Sequence, residues 1–321
     1  PSEPATPTPT TEATPGDRST AAPTEPPAST PTTVPPSPTT AAATATPVPE
    51  ADGTAGFRDN LAVADQFVLN LTDLPAPPDG QAYQGWLVGD DGTTLSIGVL
   101  SLNPDGAVGL EWNSPSGENL LGRYAHFEVT LEAAEGSPSQ TGQVVLAGGL
   151  GGETLAKARR TFVKNEGEPA TPLDTALALG LNTQTEVAVQ HVENAVNAAA
   201  IGALPEMRIH LEHVVNIIEG AAGPRFSDYD GNGVAENPGD GFGVIGYSSQ
   251  IAQLLSNQQS VVTAATEVQI QGAAIQDKSL EIITLEDLAT ATAQLAELKA
   301  MADQLKAGPA INLYRSAQDA V

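Results

Sequence analysis

No cysteine occurs in the 321 residues. Its absence excludes disulfide staples, thiolate metal sites, c-type haem attachment and cysteine nucleophiles, and it leaves the redox compartment unread. Basic residues are scarce, 13 against 39 acidic ones, for a net charge of −26. Such a surface repels nucleic acid and anionic headgroups and favours solubility and cation binding, so no nucleic-acid partner is expected. There is no run of about eighteen apolar residues, so nothing in this chain reads as a membrane-spanning helix. Aromatic side chains make up 4% of the chain. With so few to fill the cores, Trp86, Trp112, Tyr124 and Phe127 are assigned to packing rather than to a ligand platform. The chain starts at Pro1 without a methionine, from which an upstream signal or membrane tether is expected.

What is present divides into three stretches, as this length suits two domains and a tail. Residues 1–55 are almost wholly Pro, Thr, Ala, Ser and Glu, with Arg18 as their basic residue and no aromatic, a composition that predicts a disordered, extended stalk. Residues 57–163 carry short alternating runs between Asp79-Gly80, Asp91-Gly92, Asp105-Gly106, Ser116-Gly117 and Glu135-Gly136, which predicts an all-β sandwich. Strands are expected at 62–70, 82–88, 94–100, 108–112, 124–131 and 142–146. In the second, Tyr83 and Leu87 lie on one face and Trp86 and Val88 on the other, so both faces are expected to be buried.

From 172 to 321 the apolar period becomes 3.6, which predicts an antiparallel up-and-down four-helix bundle. A short helix at 173–179 is expected to stop at Gly180, and the capping box Thr183-Gln-Thr-Glu186 to open the next, running to about Ala200. Pro205 suits the first turn of the following helix, which ends at Gly220. Another is expected from Ser248, with Ile251, Leu254, Leu255, Val262 and Val268 on one stripe and a bend or end at Gly272. The last starts after Thr284, turns Leu288, Leu295, Leu298, Ala302 and Leu305 inward, and stops at Gly308-Pro309.

Two groups of residues in this part have the chemistry of ion sites. One helix reads His191-Val-Glu-Asn194-Ala-Val-Asn197 and the next His210-Leu-Glu-His213-Val-Val-Asn216, so each stacks His, then Asn or His, then Asn on one side at i, i+3 and i+6. A turn centred near residue 203 opposes Asn194 to His213, His191 to Asn216 and Asn197 to His210. The imidazoles of His191, His210 and His213 suit zinc, copper or iron; a hydrogen-bonded polar layer between helices uses the same groups. The second group is the loop at 228–240, Asp228-Tyr-Asp230-Gly-Asn232-Gly-Val234-Ala-Glu236-Asn-Pro-Gly-Asp240. Oxygen ligands at positions one, three and five with glycine at six form the first half of an EF-hand calcium loop, with Val234 at position seven. Gly239 occupies position twelve, so Glu236 or Asp240 is expected to close a Ca2+ site. A turn that caps its own backbone is the alternative.

Weaker signals are the sequon Asn70-Leu-Thr72 and the glycines at 148–152, read as a hinge. There is no nucleophile elbow, and no catalytic residue is assigned.

Tyr83-Gln-Gly-Trp86-Leu-Val, Phe127-Glu-Val-Thr130 and Gly136-Ser-Pro-Ser-Gln-Thr141-Gly-Gln-Val144-Val-Leu146 together resemble the C-terminal domain of anti-sigma-K factors, the RskA family, over about residues 57–163. The resemblance implies an extracytoplasmic domain, whereas the sigma-binding helical domain and membrane helix of that family have no counterpart here. The expectation is therefore a bacterial, extracytoplasmic, surface-tethered or secreted, non-enzymatic binding or sensing protein. Its calcium-stabilised helical module would engage a protein or small ligand. Alternatives are a transition-metal or redox protein using His191, His210 and His213, and a structural envelope protein.

Overall fold

A computed structural model describes residues 51–321; the first fifty residues of the expected stalk lie outside the described residues. The chain has two antiparallel sheets followed by helices, a mixed β plus α architecture. Strands β1 (Asp52–Arg58), β2 (Gln66–Thr72) and β5 (Val108–Asn113) form one sheet in the order β1-β2-β5. The other contains β3 (Gln81–Gly89), β4 (Thr94–Val99), β6 (Tyr124–Ala133) and β7 (Gln143–Gly149), in the order β4-β3-β6-β7. One apolar cluster draws on both sheets, with Phe67, Leu69 and Leu71 from β2 and Tyr83, Leu87, Phe127 and Val129 from β3 and β6. Trp86 is buried as well, and its indole N–H donates to Thr130 Oγ1 at 2.8 Å.

Five of the expected strands lie within three residues of their observed bounds; the first does not. Residues 59–65 form a loop rather than the start of β2, because carboxylates capture its backbone. Asp65 accepts from the amides of Asn60, Leu61 and Ala62 at 2.7–3.1 Å, and Asp59 accepts from that of Ala64 at 2.7 Å. Strand β1 begins inside the stretch read as stalk. Its Gly- and Thr-containing start has no apolar alternation, and its pairing with β2 from Asp52↔Thr72 to Arg58↔Gln66 makes it a strand.

The helices are α1 (Gly152–Phe162), α2 (Leu177–Ala200), α3 (Leu204–Glu219), α4 (Val244–Leu254), α5 (Gln259–Ile283), α6 (Leu288–Leu305) and α7 (Ile311–Asp319). Helix α2 buries Leu177, Leu181, Ala188, Val192, Ala195 and Ala199 against Met207, Leu211, Val214 and Ile218 of α3. Each large side chain among them removes enough apolar surface from water to contribute about 1.5–3 kcal/mol.

Several helix boundaries differ from expectation, each for a local reason. Gly180 does not end a helix but lies inside α2, where a Cβ would stand 2.1 Å from the Tyr247 ring; the glycine is there for close packing of α4. Before it, Pro172–Asp174 is only a 3-10 turn, with Leu173 and Asp174 at positive φ. The expected capping box is interior: Thr185 donates to the Leu181 carbonyl at 2.7 Å, and Glu186 pairs with Lys306 at 2.8 Å. The helix expected from Ser248 breaks after Leu254 into α4 and α5, and Gly272 continues α5 beside Ile218. Gly308-Pro309 does not stop the last helix, since Lys306–Ala310 makes a wider π turn leading into α7. Nor are the glycines at 148–152 a free hinge: two finish β7 and Gly152 opens α1. The sequon residue Asn70 lies in β2, where it pairs with Thr54 and Gly109.

Candidate metal centre

Helices α2 and α3 are joined by a tight turn at residues 201–203, so polar side chains one turn apart on each helix approach one another. His191 of α2 lies between His210 and His213 of α3. Its Nδ1 is 3.1 Å from Nδ1 of His210 and 3.2 Å from Nδ1 of His213. A tetrahedral ion with nitrogen ligands at ~2.0–2.1 Å sets those nitrogens roughly 3.3–3.4 Å apart, close to these separations. The helix register is offset from the one expected: His191 faces both α3 histidines instead of Asn216, and Asn194 accepts from Gln190 at 3.3 Å.

The outer nitrogens face carboxylates. His213 Nε2 lies 3.4 Å from Glu236 Oε2, and His210 Nε2 lies 3.6 Å from Glu206 Oε1. The two rings are 13% and 18% exposed, whereas Glu236 and Glu206 reach water. Burial, with the neighbouring charges of His213 and His210, lowers the His191 pKa to about 4. Burial first, then His213, also lowers that of His210, against the opposing pull of Glu206. His191 is thus a neutral imidazole at pH 7, the form that offers a lone pair to a metal.

The 228–240 loop packs on the same face of α3. Carboxylate oxygens of Glu212, Asp228 and Asp230 fall within 4.8 Å of one another. Asp228 accepts from the amides of Gly231 and Gly233, Asp230 from that of Asn232, and Asn232 from that of Val234, all at 2.7–2.8 Å. These are the backbone-capping contacts of the alternative expectation, in a loop that still gathers three acids.

The residues expected to close the loop are directed elsewhere. Asp240 accepts from the Tyr247 hydroxyl at 2.6 Å and from the Phe242 amide, and its own amide donates to Gln184. Glu236 faces His213. The acid that joins Asp228 and Asp230 is Glu212, fully buried on α3 and not singled out in the sequence. Its oxygens accept from the amides of Tyr229, Asp230 and Glu236 at 2.7–3.0 Å. Asn216 secures the loop too: its Nδ2 donates to the carbonyls of Ser227 and Glu236. Of the partners missed, Glu206 had a signal in its i, i+4 spacing to His210. Glu236, expected at the calcium loop, meets His213 instead, and that contact, like the one of Glu212 with the loop, is tertiary.

In the β part, the two halves of the family resemblance bind each other. Gln84 of β3 accepts from the Ser137 amide at 2.7 Å and donates to its carbonyl at 2.9 Å. Gly136, at φ 81°, turns the chain for this contact, and Glu132 accepts from the amides of Thr141 and Gly142. Residues 7–144 match the family Anti-sigma-K factor rskA, C-terminal. The rskA match starts earlier than the motifs did, inside the stretch read as stalk, ends within β7, and leaves the histidine helices outside it. No curated protein and no solved structure matches the chain. An rskA-type anti-sigma factor is regulatory, and its description implies a sigma factor as partner.

The match corrects the expected location. The anti-sigma-K description stands against an extracytoplasmic, cell-surface or secreted location. No helix among the described residues is long and apolar enough to cross a membrane.

Proposed function

We propose that the chain is a non-enzymatic regulatory protein in which a β-sandwich of the anti-sigma-K type is joined to a helical bundle that holds a transition metal at His191, His210 and His213. A sigma factor, or a protein that itself controls one, is the partner consistent with the family description. The observation that carries the metal reading is the approach of two other ring nitrogens to His191 Nδ1, at 3.1 and 3.2 Å. An imidazole nitrogen has a single in-plane direction, occupied by either a proton or a lone pair. It therefore satisfies one such neighbour by hydrogen bonding and leaves the other unmatched, whereas a cation at the centre satisfies all three lone pairs. Zinc, copper and iron all accept this donor set, and the bound ion would cross-link α2 to α3.

The full chain, incubated with zinc and desalted, is expected to retain about one equivalent by elemental analysis, and His213→Ala to lose it. Wild-type protein that retains none contradicts the proposal. A second reading, calcium at the loop, is favoured by the grouping of Glu212, Asp228 and Asp230. Its test is a calcium-dependent rise in melting temperature that Asp228→Ala abolishes.

A further inference from the structure

We propose that Glu236 is the positioning residue of the histidine centre, fixing which nitrogen of His213 is free to bind and tying the 228–240 loop to the metal. This rests on the transition-metal reading above. Glu236 is 23 residues from His213 in sequence, yet its carboxylate lies 3.4 Å from Nε2, while the other ring nitrogen, Nδ1, faces His191. Its backbone is held at both ends by the residues that flank His213 on α3. The Glu236 amide donates to Glu212 Oε1 at 2.9 Å, and its carbonyl accepts from Asn216 Nδ2 at 2.9 Å. Two clamps, one residue before His213 and three after it, thus aim the side chain at that imidazole.

A carboxylate at Nε2 accepts a hydrogen bond from the N–H there, so in the neutral tautomer that pairs with Glu236 the proton sits on Nε2 and the lone pair is left on Nδ1. That is the nitrogen 3.2 Å from His191. Carboxylates placed behind ligating histidines in this way orient the ring and raise its basicity, and their loss typically lowers metal affinity about 10–100-fold. Glu236 does not belong to the acidic group formed by Glu212, Asp228 and Asp230, so its carboxylate is available to serve His213.

The test is a Co2+ titration of the full chain, followed by the visible ligand-field absorption of the bound ion. Wild type is expected to bind with a tetrahedral-type spectrum. Glu236→Ala is expected to bind about 10–100-fold more weakly with a shifted spectrum, at unchanged circular dichroism. Glu236→Gln, which keeps the shape but not the charge, falls between them, and Glu236→Asp recovers part of the affinity. Should Glu236→Ala fail to fold, Glu236→Gln alone decides by the same shift. Affinity and spectra equal to wild type in Glu236→Ala, or in Glu236→Gln where Glu236→Ala does not fold, overturn the role of Glu236 while leaving the metal reading intact. Absence of Co2+ binding by wild type overturns the metal reading itself.

Discussion

The charged side chains that organise this chain act mainly by holding backbone. Asp65, 1% exposed, gathers three amides and sets the loop that precedes β2. Burial acts to raise its pKa, but the three amide hydrogen bonds outweigh it and the net effect is a lowering from 3.8. A carboxylate whose pKa is lower in the folded than in the unfolded chain stabilises the fold above the unfolded value, and the contribution is lost as pH falls through the folded value. Asp65→Ala is therefore expected to cost about 1–3 kcal/mol at pH 7. The gap between variant and wild type should close below about pH 4, as urea melts at a series of pH values would show. A gap independent of pH would mean that the carboxylate charge has no part in the loop. At this scale much of the site was legible: the i, i+3, i+6 repeat in two successive helices selected the three histidines that converge. That Glu236 stands behind His213 was not, because this contact follows from how the loop folds back over α3.

At the scale of elements, strands were easier to read than helix ends. Alternation of apolar residues between turn pairs marks a strand from local sequence alone, whereas glycine and proline in the helical part carry more than one meaning. Gly180 suits a helix stop on local grounds and a close helix contact on tertiary grounds, and the Tyr247 ring decides between them. Gly180→Ala introduces a methyl group 2.1 Å from Tyr247 Cζ and 2.6 Å from its hydroxyl, whose hydrogen bond to Asp240 holds the end of the loop. Overpacking of this kind costs about 1–3 kcal/mol. A lower melting temperature and faster proteolysis at residues 239–247 are expected, although alanine is the better helix former. A stabilised variant would show that α2 and α4 are not packed this way. Helix α7 was missed for a related reason: Pro309 reads as a terminator, but a π turn absorbs it and the chain continues.

On the scale of the whole molecule, the β and α parts are fastened by a shared apolar cluster and by specific polar contacts. The Tyr314 hydroxyl of α7 donates to Asp59 Oδ2 at 2.6 Å, and its ring meets Phe162 of α1 edge-on at 5.3 Å. Burial, then the Asp59 contact, raises the Tyr314 pKa, so the phenol stays protonated and donates throughout the physiological range. Tyr314→Phe is expected to cost about 1–2 kcal/mol and to speed hydrogen exchange at residues 59–65 and 311–319 together. Faster exchange confined to 311–319 would contradict a fastening role. Neither segment shows this link in sequence, since 255 residues separate the two partners. The central claim is more local: the histidines of α2 and α3 form one metal centre in a protein whose β part matches the anti-sigma-K factor C-terminal family. X-ray absorption at the zinc edge of the zinc-loaded full chain tests it most directly. Three imidazole nitrogens at ~2.0–2.1 Å from the zinc are predicted; a shell of oxygen ligands alone would contradict it.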